Sequence, residues 1–69
     1  MKTFGENLKY YRNLNKLSQK DFAERMQTTQ QRISEWECNK VEPSLHNIIK
    51  IMLVLNVTFD KLTDEIEFK

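Results

Sequence analysis

The stretch from Gln19 to Cys38, QKDFAERMQTTQQRISEWEC, constrains the chain more than any other. It reads as helix, tight turn, helix, with Gln27-Thr28 in the turn. Phe22, Ala23 and Met26 form the inner face of the first of these helices, and Ile33 and Trp36, one helical turn apart, that of the second. Ala23 matters for size, because two helices crossing closely leave little room for a long side chain. The second helix opens on Thr29-Gln30-Gln31-Arg32, four polar side chains at a helix N-terminus. Such an end can carry side chains that read base edges in a DNA groove.

The flanking sequence supplies support for this pair. Thr3 followed by Glu6 is a capping-box pattern, so a first helix starts near Phe4. Phe4, Leu8, Tyr11 and Leu14 recur at helical spacing and mark its buried face. It ends near Asn15, a residue that accepts the left-handed position after a helix, and Leu17 then plugs the core. Ser18 with Asp21 starts the second helix, and Thr29 caps the third, which closes near Glu37. The loop CNKVEP carries Asn39 as its left-handed residue, and Ser44 after Pro43 caps a fourth helix. In that helix Leu45, Ile48, Ile51, Met52 and Leu55 group as the core stripe, while Leu53 and Val54 point largely elsewhere. Asn56 ends it. Thr58 caps a short fifth helix with Phe59 and Leu62 packing inward, and residues 63–69 form an acidic tail with Ile66 and Phe68. The expectation is an all-α, compact five-helix fold.

Composition narrows the function classes. Sixty-nine residues make one domain, spanning 1–69. A single Gly and a single Pro argue against a many-stranded β fold. No apolar run approaches the ~18 residues of a membrane span, and the N-terminus is not a secretory signal. One Cys forms no internal disulfide, no Cys/His set holds a metal, and a reducing cytoplasm is the default. With one His, one Cys and no Gly-rich phosphate loop, an enzyme is not expected, nor is a cofactor or a small-molecule ligand. His46 reads as a lone exposed residue, Cys38 as an ordinary free thiol and Tyr10 as a flank of the first helix. The net charge is only +1, but it is uneven: Lys2, Lys9, Arg12, Lys16 and Lys20 face a single acid, Glu6, in the first twenty residues. Residues 41–69 carry five acids against three lysines, so one end can face phosphates while the other faces away.

Taken in order, LSQKDFAERM, Ala23 at the crossing, Ile33 and Trp36, Glu37 closing the third helix, the PS of Pro43-Ser44 and the terminal LNVTFDKL resemble the helix-turn-helix family of lambdoid phage repressors and Cro, the XRE-like regulators. The resemblance covers Phe4 to Leu62. It implies a lambda-repressor-like DNA-binding domain with its helix-turn-helix at the second and third helices, a bacterial or phage transcriptional regulator, and in most such cases a repressor. It places Gln30 and Gln31 in the major groove, where Gln pairs in bidentate fashion with adenine N6/N7. Arg32 and Ser34 lie further along, with Arg32 open to guanine or to a phosphate. Gln19 resembles the residue that bonds a phosphate and braces the first recognition Gln. Lys20, Thr29, Asn39, Lys40 and Ser44 are further phosphate candidates, positioning the protein without reading sequence. The family pattern makes Arg12 and Glu37 a structural salt bridge between the first and third helices.

The resemblance also implies a homodimer on a palindromic operator, because one recognition helix reads few bases. Leu53, Val54, Phe59, Ile66 and Phe68 are the candidates for its interface. Two other readings remain: an antitoxin or accessory regulator with a protein partner on the side of the fourth and fifth helices, and a protein-interaction module that keeps the fold without binding DNA. The chain departs from the family at Gln27, where Gly is usual. A non-Gly residue in a left-handed conformation costs ~1–2 kcal/mol, so the turn is either strained or differently shaped. Asn39 also replaces a frequent Gly, a mild change because Asn tolerates that backbone.

Overall fold

The computed structural model describes residues 2–67. Five helices follow in order: α1 (Phe4–Leu14), α2 (Gln19–Met26), α3 (Gln30–Glu37), α4 (Leu45–Leu55) and α5 (Phe59–Leu62), with no strand among the described residues. Their starts share one chemistry. Thr3, Ser18, Thr29, Ser44 and Thr58 are extended N-cap residues, and each side-chain oxygen accepts from the backbone N–H three residues on. Each bond satisfies one of the donors that a helix start leaves without a partner. At Thr3 the capping box is complete, since Glu6 accepts from the Thr3 backbone N–H at 3.1 Å. Phe68 lies outside the described residues.

The helix ends are closed without glycine. Lys16, Gln27, Asn39 and Asn56 all take positive φ, at 59°, 58°, 61° and 54°. Beyond each, the chain folds back so that Leu17, Thr28, Lys40 and Val57 donate to the carbonyls of Arg12, Ala23, Glu35 and Met52. This is the long-range bond of a Schellman closure. The end of α1 corrects one expectation: Asn15 has φ −83°, and Lys16 carries the left-handed turn. The Asn15 amide instead donates to the carbonyls of Tyr11 and Leu55 at 2.9 and 3.2 Å, tying the ends of α1 and α4 together.

The only glycine in the chain sits inside α1. An added Cβ at Gly5 would lie 2.3 Å from the Glu37 carbonyl oxygen and 2.7 Å from that of Trp36. Gly5 is therefore where α1 crosses the end of α3, and its missing side chain sets how close the two helices come. The core beneath consists of Leu8, Leu17, Phe22, Ala23, Met26, Ile33, Trp36, Ile51, Leu55 and Leu62. α3 packs on both α1 and α2, α5 packs on α1, and α4 packs on α2. Asn7, buried, donates to the carbonyls of Leu62 and Asp64, both at 2.9 Å, and so fastens the end of α5 to α1.

Three expected core residues lie outside it. Leu14 is 62% exposed, Leu45 71% and Phe59 50%. Each is the first or last residue of its helix, and Leu45 falls on the outward side of α4 with the exposed Ile49 and Leu53. On α1 the buried side is held by Gly5, Asn7, Leu8 and Arg12 instead. Val54, expected to point elsewhere, packs partly buried against the core on the helix that rests against α2.

Gln27 keeps the turn in the shape a glycine would give it. It adopts the left-handed conformation (φ 58°, ψ 43°), and Lys50 of α4 donates to its side-chain oxygen at 3.2 Å. The backbone cost of ~1–2 kcal/mol exceeds the few tenths that an exposed hydrogen bond returns. Replacing Gln27 by Gly is accordingly expected to raise stability by about 1 kcal/mol, read as a higher urea midpoint; a fall would mean that the Lys50 contact outweighs the backbone.

Candidate nucleic-acid interface

The exposed end of α3 is built from its cap outward. Thr29 Oγ1 accepts from the Arg32 N–H at 3.2 Å, which fixes the first turn. Gln30, Gln31 and Arg32 are exposed, Ser34 and Glu35 partly so, while Ile33, Trp36 and Glu37 are buried. Helix starts favour anions through free N–H groups and the macrodipole. The Thr29 and Ser44 hydroxyls accept bonds as caps and keep their O–H free to donate.

Behind this end runs a continuous chain of polar contacts. Arg12 and Glu37 form a buried ion pair, with Arg12 Nη2 donating to Glu37 Oε1 at 3.2 Å and Arg12 Nε to Glu37 Oε2. Arg12 Nη1 also donates to the Leu17 carbonyl at 2.7 Å, so the guanidinium reaches the carboxylate and the α1–α2 connection together. Gln19 Nε2 donates to the same Glu37 Oε1 at 3.0 Å. That bond turns Gln19 Oε1 toward α3, where it accepts from Gln30 Nε2 at 3.5 Å. A carboxylate only accepts, so its charge sets the amide orientation of Gln19 and, through it, that of Gln30. Gln30 is left with Oε1 and one Nε2 hydrogen facing outward. Among the described residues, no buried side-chain N or O atom lacks a partner.

The remaining candidates fall into three groups. Gln31, Arg32 and Ser34 stand on α3 beyond this relay, and Lys20, Lys40 and Ser44 are exposed. Asn39 is bound up in the fold instead. Its Oδ1 accepts from the Gly5 N–H at 3.0 Å and its Nδ2 donates to Thr3 Oγ1 at 2.9 Å. Both ends of that side chain hold the start of α1 against the end of α3. Of the apolar candidates, Leu53 is 77% exposed and Val54 is packed on the core. Phe59 and Ile66 line a groove of about 400 Å³ with Phe4, Ile48 and Pro43. The segment that carries Ile66 is held to its own domain, since Lys2 N–H donates to the Glu65 carbonyl at 3.2 Å and Asn7 holds Asp64.

Sequence reasoning missed Gly5, Asn7 and Ile49, and read Leu45 as core; Leu53, expected to point away from the core, does so, and the three form one outward line on α4. Gly5 carried a usable signal: a lone glycine inside a capped helical pattern marks a close approach. Asn7 carried none, because its partners are backbone carbonyls more than fifty residues away. Among the described residues no helix is long and apolar enough to cross a membrane.

A family model described as Helix-turn-helix matches residues 8–62. No curated protein matches the chain. The matched span begins inside α1 and closes on the last residue of α5, and it contains α2, the left-handed turn at Gln27 and α3 whole. The chain belongs to the XRE-type helix-turn-helix family of DNA-binding regulators.

Proposed function

We propose that the protein is a transcriptional repressor that binds double-stranded DNA sequence-specifically, as a homodimer on a palindromic operator. The observation that carries this reading is the relay from the Arg12–Glu37 pair through Gln19 to Gln30. It holds the outward Gln30 amide as one acceptor beside one donor, the pattern that adenine N6 and N7 complement. Gln31 reads the neighbouring pair, with Arg32 and Ser34 flanking. Gln19, through its second Nε2 hydrogen, contacts phosphate together with Lys20, Thr29, Lys40 and Ser44. Asn39 leaves the phosphate set because its side chain is committed to α1. The two-fold mate places its α3 ~34–36 Å away, one helical turn along the duplex. Leu53, Phe59 and Ile66 are the interface residues of this reading; Val54 drops out because it packs on its own core. Neither a cofactor nor catalysis belongs to this role, and a single free thiol suits a reducing cytoplasm.

Two variants test the division of labour. Gln30→Ala is expected to relax the preference at one base pair of each half-site, at a cost of about 1–3 kcal/mol on the preferred sequence. Lys40→Ala is expected to weaken all sequences about equally and to flatten the salt dependence by about one charge. Fluorescence anisotropy on an operator and on scrambled duplexes separates the two. A uniform loss for both variants would overturn the assignment of roles.

One observation favours a second reading. Leu45, Ile49 and Leu53 form an exposed apolar line on α4, one residue per turn. An accessory regulator or antitoxin with a protein partner docked along α4 and α5 would use it.

A further inference from the structure

α3 carries one polar residue on its open side that the roles above leave idle. At about 100° per residue, Glu35 stands ~40° from Gln31 on the side opposite Ile33 and Trp36. Ile33 and Trp36 are buried, so this line lies on the open side of α3, with Gln31 exposed and Glu35 partly so. Gln30 and Ser34 lie on the flank that faces the start of α2, where Gln30 meets Gln19. Glu35 is partly exposed, and among the described residues its carboxylate forms no ion pair and no hydrogen bond. Its backbone is occupied, since its carbonyl accepts from Lys40, but its side chain is free to act.

We propose that Glu35 is a further specificity-determining residue, whose carboxylate accepts from the N4 amino group of cytosine at one base pair of each half-site. This rests on the reading that α3 lies in the major groove. The chemistry selects the base. A carboxylate accepts and does not donate. Guanine offers O6 and N7 and thymine offers O4, all acceptors that repel it; adenine sets N7 beside its one amino group; cytosine alone presents an amino donor without an adjacent acceptor on its own edge. Position fits as well. Four residues along a helix advance about 6 Å, on the order of two base-pair steps, so Glu35 meets a base pair close to the one that Gln31 reads. The same negative charge repels phosphates and adds nothing to sequence-independent attraction. Discrimination is what a carboxylate at this place contributes.

The test is selection from random duplexes, run in parallel on the full chain, on Glu35→Gln and on Glu35→Ala. The wild type is expected to select cytosine at one position per half-site. Glu35→Gln, which offers a donor beside an acceptor, moves that position to adenine. Glu35→Ala loses the preference there by about tenfold. Both variants bind random DNA more tightly, because a negative charge has left the groove face. Glu35→Gln is nearly isosteric, and a thermal midpoint equal to wild type certifies its fold. If all three proteins select the same base at every position, Glu35 reads nothing, while the DNA reading stands. If the wild type selects no site, the DNA reading fails and the role of Glu35 fails with it.

Discussion

Replacing Glu37 by alanine is expected to destabilise the protein by about 3–5 kcal/mol, because it leaves the Arg12 guanidinium buried and unpaired. A domain of this size holds on the order of 3–10 kcal/mol in total, so the variant should sit near or beyond its unfolding midpoint at room temperature. The urea midpoint measures it. The paired replacement Arg12→Met with Glu37→Leu removes both charges and should cost less than either single change, since no charge is stranded. A loss below about 1 kcal/mol for Glu37→Ala would show the pair to behave like a surface ion pair. On the proposed function, stability and recognition share one carboxylate. Glu37 also holds Gln19, and Gln19 holds Gln30, so any Glu37 variant that stays folded should lose base discrimination at the Gln30 position.

Gly5→Ala is the second large effect, and its sign is the informative part. On helix propensity alone, alanine in place of glycine inside a helix gains about 1 kcal/mol. Here the new methyl would stand 2.3 Å from a backbone oxygen of α3 and 2.7 Å from two further backbone atoms. Backbone cannot swing aside as a flexible side chain does, so α1 and α3 must separate. Overpacking of this kind costs about 1–3 kcal/mol, occasionally more, and the rigid neighbours put it at the upper end. The expected net result is a loss of about 2–3 kcal/mol in chemical denaturation. A more stable variant would mean that the crossing is looser than the structure has it.

These two residues also mark what the sequence reveals and what it hides. All five helix starts are legible, because a hydroxyl cap followed three residues later by the N–H it accepts is local chemistry. So is the α2–turn–α3 unit, whose apolar residues recur at one period and whose turn falls at Gln27. Helix ends are less legible. Residue type points to Asn15 for the left-handed position, yet Lys16 occupies it, because the closure is set by where Leu17 must enter the core, and Asn15 is drawn to the end of α4. Periodicity also overstates burial at the edges: Leu14, Leu45 and Phe59 are read as core, yet each is a terminal residue of its helix and at least half exposed, and Leu45 shares the outward side of α4 with Ile49 and Leu53. Asn7 depends on partners over fifty residues away, beyond the reach of any local pattern; the lone Gly5 marks a close approach locally, but that the approaching backbone is the end of α3, over thirty residues on, is not written near it. At the candidate site, residue types suggest which side chains meet DNA. Which amide end of Gln30 faces outward follows only from the chain of bonds that begins at Glu37.

On the proposed function this domain reads a specific duplex sequence through α3. The decisive experiment is selection of bound DNA from a random pool, followed by affinity measurements across a salt series. The predicted result is a palindrome whose half-sites lie about one helical turn apart, with affinity falling steeply as salt rises. Failure to enrich any sequence at low salt, or an affinity that salt leaves unchanged, would contradict it and favour a module that keeps this fold for protein partners.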